Sequence, residues 1–261
     1  MGATHLRALG GPDGRGKDES RAAASPMQVV SPVTIQRYSD GKLSFKDDQI
    51  AEEADLRLSV NGQQEAVLAR TPGDDLNLVA GFLFAGSKIM CPEDIRSIAF
   101  SYQGQARADV GLEIPRGVRR IFPSPRPIHI APERLFEFKE IFERRQSLFK
   151  NTGSTHAAAL FSDAGELVSY GEDVGRHNAF DKAVGRALLE GSLDRVAIAM
   201  LSSRLALELA MKATTANIPI LCGFSAATSS AITYAERNNL SLVGRIREKT
   251  FNIYANGWRF R

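Results

Sequence analysis

From residue 155 onward, short apolar runs alternate with longer segments whose apolar residues recur every three or four positions. The short runs, at 157–161, 167–170, 196–201, 218–222 and 241–246, predict strands. The longer segments, at 176–189, 204–216 and 229–238, predict helices. A strand followed by a helix and another strand closes most readily as a right-handed crossover in one sheet. The second half therefore predicts an α/β domain, over 131–261, with a sheet covered by helices.

The earlier half reads differently. Leu56, Leu58 and Val60 alternate with polar residues, and Asn61-Gly62 then offers a hairpin turn, since both tolerate positive φ. Two further strand-like runs lie at 95–102 and 106–114. Between these pairs, Pro72-Gly73-Asp74-Asp75 opens a helix with Leu76, Val79, Ala80, Phe82 and Leu83 on its apolar face. The reading is a smaller β-rich lobe over 28–130. Its last part, 115–130, is basic and proline-rich and predicts a mobile loop. One long helix over 132–149 joins the two parts, with Leu135, Phe138, Phe142 and Phe149 on one face. Residues 1–27 are Gly, Ala, Ser and charge, too polar to offset the entropy of ordering, and predict a disordered segment.

With 33 basic and 30 acidic residues, the net charge of +3 does not point to nucleic acid as a partner. Lacking a signal-like apolar core or a membrane-length apolar run, the chain is expected in the cytoplasm and off the membrane. Cys91 and Cys222 are its only cysteines, and no structural disulfide is expected there. Four scattered histidines, His5, His129, His156 and His177, match no zinc pattern, so no metal site is expected. No Gly-x-Ser-x-Gly elbow marks a nucleophile.

Three strand-to-helix junctions carry the candidate chemistry: 170–178 with Gly175, Arg176 and His177, 201–204 with Arg204, and 224–229 with Ser225 and Thr228. Helix N-termini present free N–H groups and a positive dipole end to anions. In an open α/β sheet they gather at the carboxyl ends of the strands. Capping alone accounts for any one junction. The three together, with Gly153-Ser154-Thr155-His156, read as a pocket for a phosphorylated ligand. His177 and Asp181 stand four apart, so a carboxylate could orient the imidazole, or the two could be a polar helix face.

The runs THAAAL (155–160), EDVGRHNAFDKAVG (172–185), SSRLALELAMKA (202–213), SAATSSAITYAE (225–236) and LVGRIREKTFNIY (242–254) resemble the FdhD/NarQ family in order and spacing. TPGDDLNLVAGFLFAG (71–86) resembles that family's first helix. The resemblance implies a three-layer α/β/α sandwich similar to the cytidine deaminase fold, and a homodimer. It implies an accessory role for formate dehydrogenase: taking sulfur from a cysteine desulfurase and passing it to the bis-molybdopterin guanine dinucleotide cofactor. It also places that cofactor, through its guanine nucleotide moiety, at Arg245, Ile246, Arg247, Glu248, Lys249 and Thr250. Here the chain departs from the usual pattern, with Arg245 for an aromatic residue and Thr250 for an arginine.

A larger departure follows Arg119-Arg120, where the family carries the Cys-x-x-Cys whose first thiol holds the persulfide. This chain reads Ile121-Phe122-Pro123-Ser124-Pro125-Arg126-Pro127, with no thiol. Neither serine nor proline can form a persulfide. No catalytic residue is therefore assigned; Cys222, at a predicted strand end, either borders the pocket or is a small buried hydrophobe. The sulfurtransferase role implied by the resemblance thus lacks its nucleophile, and a non-catalytic cofactor-binding chaperone is the alternative. The loop arginines Arg116, Arg119, Arg120 and Arg126 remain to close over phosphates or dock an acidic partner.

Overall fold

The computed structural model describes residues 28–113 and 126–261. The expectation for 1–27, and that for most of the 115–130 loop with Arg116, Arg119 and Arg120, lie outside the described residues.

The chain opens with a two-stranded hairpin, β1 (Val30–Ser39) and β2 (Lys42–Ala51). A four-stranded sheet follows: β3 (Ala54–Val60), β4 (Gln63–Arg70), β5 (Ile95–Ser101) and β6 (Arg107–Leu112), in the order β4-β3-β6-β5. The Asn61-Gly62 turn joins β3 to β4 as the sequence predicts, with φ of 49° and 80°. Helix α1 (Asp75–Ala85) lies between β4 and β5.

Six strands form the larger sheet: β7 (His156–Ser162), β8 (Leu167–Asp173), β9 (Val196–Leu201), β10 (Ile220–Gly223), β11 (Ser241–Gly244) and β12 (Asn252–Ala255), in the order β12-β11-β10-β9-β7-β8. The alternation after 155 places β9, β10 and β11 parallel, through α5 (Leu207–Thr215) and α6 (Ser229–Arg237). The sheet is mixed, because β7 pairs antiparallel with β8 and β9, and β12 with β11. Helix α4 (Arg176–Leu189) follows β8.

Period-two alternation sends side chains to both faces of the larger sheet, and nearly every residue of its central strands β7, β9, β10 and β11 is buried. On β7, Ala157, Ala159 and Phe161 join one apolar cluster and Ala158 and Leu160 the other. The first face is covered by α2 (Arg134–Arg145) through Leu135, Phe138 and Phe142. The opposite face is covered by α4, α5 and α6. That second cluster continues into α1 and the four-stranded sheet through Leu56, Leu58, Ala108 and Val110. Helices α1 and α4 cross almost backbone to backbone. A Cβ on Gly81 would fall 2.0 Å from the Asp181 carbonyl, and one on Gly185 would fall 1.9 Å from that of Asn77.

Two predicted helices need correction. The single helix over 132–149 is two, α2 and α3 (Ser147–Thr152), broken at Gln146, where ψ is 64°. Glu172 supplies the reason: its carboxylate accepts hydrogen bonds from the Leu148 and Phe149 amides at 3.2 and 2.9 Å, giving a second helix start its partners. The helix predicted from 204 begins at Leu207, because Leu205 instead forms a parallel bridge with Ala227. Among the described residues no helix is long and apolar enough to cross a membrane.

Candidate functional site at the strand ends

The parallel strands β9, β10 and β11 all end on the same side of the sheet, and β7, running the other way, begins there. Backbone bonds stitch these ends together. Leu205 N–H donates to Ala226 O at 3.1 Å, Thr228 N–H to Leu205 O at 3.0 Å, and Arg245 N–H to Ser225 O at 3.1 Å. Small residues permit the approach: a Cβ on Gly244 would sit 2.5 Å from Ser225 O. The Ser202 hydroxyl accepts from the Ala157 amide at 3.0 Å and lies 3.1 Å from His156 Nδ1.

The run 172–182 acts first as a clasp. Asp173, fully buried, pairs with Lys182 at 2.7 Å. Its carboxylate also accepts from the Thr71, Gly175 and Asn178 N–H groups at 3.1, 2.8 and 3.0 Å. Lys182 donates to the Thr71 and Glu172 carbonyls, and Asn178 to that of Ala69. These bonds tie α4 to the end of β4, and so join the two sheets. The Gly175 amide, expected free for an anion, is spent on Asp173.

His177 and Asp181 do not pair. Asp181 faces α5 and holds Lys212 at 2.5 Å, while His177 Nε2 sits 3.3 Å from Glu208 Oε2. The partners come from the neighbouring helix because Asp181 is turned inward, 2% exposed. Burial raises the Asp181 carboxyl, against the pull of Lys212. Burial lowers His177, helped by Lys212 and Arg176 and opposed by Glu208. His156 is lowered by burial and then by Arg176, against Asp173.

The remaining expected residues separate into two groups. Arg204, Arg245, Arg247, Glu248, Lys249 and Thr250 are exposed, and Arg247 Nη1 donates to Phe224 O at 2.9 Å. Arg176 is half-buried, and its Nε has no hydrogen-bond partner. Ser225 is half-buried, and Thr228 caps α6 by accepting from the Ala231 amide. Ile246 is fully buried in the apolar cluster under α2, so its side chain cannot meet a ligand. Cys222 is in the same cluster, fully buried, and burial pushes its thiol up. It lies one residue before the end of β10, on the face covered by α2. Arg126 donates to Val196 O at the start of β9, the opposite end of the sheet from these loops.

A cleft of about 440 Å³ opens beside the loops, lined by Gln146, Phe149, Thr155, His156, Ser202 and Phe224 among others. Its wall of α2 and α3 residues is invisible in a reading that makes 132–149 one helix. Among the described residues no three His, Cys, Asp or Glu gather as metal ligands.

A mixed α/β body with a cleft at its parallel-strand ends places the protein in the open α/β class, in which ligand sites are usually found at such strand ends. The chain belongs to the FdhD/NarQ family, whose profile it matches over residues 51–120 and 104–261. It is 34% identical to the sulfur carrier protein FdhD of Streptomyces avermitilis, across 87% of this chain and 94% of that one. The corresponding protein of Sulfurisphaera tokodaii is 37% identical, across 86% and 96%. A crystal structure from Desulfotalea psychrophila, described as a formate dehydrogenase accessory protein, superposes with a TM-score of 0.78 at 24% identity, covering 90% of this chain and all of the other.

Proposed function

We propose that this protein is an accessory factor for formate dehydrogenase in the manner of its sulfur carrier relatives, handling the molybdenum cofactor as cargo at the strand ends. The observation that supports it most is the convergence of the family's signature runs on one place: 155–156, 172–182, 202–205, 225–228 and 244–247 all meet there. The cargo reading rests on charge. Arg176, Arg204, Arg245, Arg247 and Lys249 surround the loops, and pyrophosphate groups of bis-molybdopterin guanine dinucleotide suit such cations. A deaminase-like arrangement of the three layers, a homodimer, contact with a cysteine desulfurase and a cytoplasmic location belong to the same proposal.

Complementation tests it: the chain is expressed in a strain lacking its own family member, and formate dehydrogenase activity is measured. Restored activity is expected; none, with a relative restoring it in parallel, would refute the accessory role.

One observation favours a second reading. The segment where the family carries its cysteines has none, and Cys222 is sealed in the core. The protein would then hold the cofactor while another chain carries sulfur. Incubation with a cysteine desulfurase and cysteine separates the two: a mass gain of one sulfur supports carriage, and none supports holding.

A further inference from the structure

The first two strands carry an apolar patch remote in kind from the strand-end site. β1 and β2 are ten residues each, joined by a tight turn at Asp40-Gly41 with φ of 51° and 79°. They pair with each other and with no strand of the other two sheets. From residue 36 to residue 47 every residue is exposed, so this part of the hairpin projects from the body as an arm. Tyr38, Leu43 and Phe45 on it are 70%, 68% and 76% exposed, whereas no other large apolar side chain among the described residues exceeds 47%.

Period-two alternation sorts the arm into two unlike faces. The register sets Tyr38 opposite Leu43 and Gln36 opposite Phe45, which gathers the three apolar side chains on one face. The other face carries Arg37 opposite Ser44, Ser39 opposite Lys42 and Ile35 opposite Lys46. Cations therefore stand back to back with the apolar cluster. Asp48 lies 3.8 Å from Lys46, but Arg37 and Lys42 stand opposite serines. Asp40, at the turn, is the one acid between residues 36 and 46.

This division limits what can cover the arm. A flat anionic bilayer would take the apolar face and leave the basic one turned to water. Two copies pressed face to face would bury three side chains each, on the order of 150 Å² apiece and about 900 Å² in all, short of the roughly 1,200 Å² of a specific interface. The chain's segments outside the described residues do not complement a cationic face. Residues 1–27 hold Arg7, Arg15, Lys17 and Arg21 against Asp13, Asp18 and Glu19, and residues 114–125 hold Arg116, Arg119 and Arg120 and no acid.

We propose that the β1–β2 arm docks in a groove of the formate dehydrogenase polypeptide, with one wall apolar and the facing wall lined by carboxylates. Aromatic anchors in an apolar pocket carry most of such a binding energy, and the charge pairs set register and approach rate. The inference rests on the accessory reading above and names the part of this chain that grips the enzyme it serves.

Biolayer interferometry of the full chain against cofactor-free formate dehydrogenase polypeptide tests it. The variants are the double substitutions Tyr38→Ser with Phe45→Ser, and Arg37→Glu with Lys42→Glu. All four side chains are exposed, so melting temperatures are expected to match wild type. Each variant should bind at least about tenfold more weakly, and the loss in the charge variant should shrink as salt is raised. Equal affinity in wild type and variants overturns the proposal, and a loss in the apolar variant alone overturns the two-walled groove. So does an arm dependence found elsewhere: a mass halved in light scattering, lost binding to phosphatidylglycerol vesicles, or lost binding to a cysteine desulfurase in place of formate dehydrogenase. Wild type that restores activity in the complementation above yet binds no polypeptide overturns the arm alone; failure of both overturns the accessory reading.

Discussion

Cys222 shows how strand geometry decides a side chain's chemistry. On β10, Ile220 and Cys222 face α2 while Leu221 faces α5 and α6. A thiol sealed there, its ionisation opposed by burial, is a poor nucleophile. Any sulfur taken up from a desulfurase should therefore be equal by mass in wild type and Cys222→Ala; a gain that vanished in the variant would contradict this placement. His177 makes a second case. Burial, with Lys212 and Arg176, lowers it below the usual 6.5, and burial with Arg176 lowers His156, so each site favours the neutral imidazole. A depressed histidine contributes stability that is complete above its unfolded value and is lost as pH falls through its folded value. Unfolding free energy should thus decline as pH drops below about 6.5, and His177→Gln should flatten part of that slope in urea titrations at stepped pH. An unchanged slope would show that His177 is not held neutral.

The helix α4 is the hub between the sheets, and its ion pairs with Asp173 and from Lys212 are nearly buried. Lys182→Met should cost about 3–5 kcal/mol, because it leaves Asp173 charged and without its cation in the interior. Chemical denaturation measures this, and a loss below about 1 kcal/mol would mean that the clasp is not structural. The start and end of α4, at Arg176 and Leu189, were legible because Gly175 and the apolar spacing both mark them. The break at Gln146 was not, since it depends on Glu172, a carboxylate 24 residues beyond Leu148 whose reach no local pattern shows. For the same reason the sequence set His177 against Asp181. Spacing places both on a helix, but α5 supplies the partners of each.

Across the molecule, family-specific runs far apart in the chain serve two ends. Some, such as Asp173, Asn178 and Lys182, lock the two sheets; others, such as His156, Ser202 and Arg176, are left around the cleft. The sequence offered three junctions, two of them with arginine, and parallel strands do bring such junctions together. The far wall of the candidate pocket was not legible, for it comes from the α2–α3 turn. Ile246 was misplaced because a consecutive run on a loop alternates between core and solvent. The central claim is that function resides in this strand-end cluster and its cations. It is tested most directly by formate dehydrogenase activity in a strain lacking its own family member, complemented with wild type or with the double variant Arg176→Ala, Arg247→Ala. Both side chains lie outside the apolar clusters, so the variant should fold and accumulate like wild type. The account predicts activity with wild type and a loss of at least about tenfold with the variant, the loss expected for charge-assisted bonds removed; equal activity from the two would contradict it.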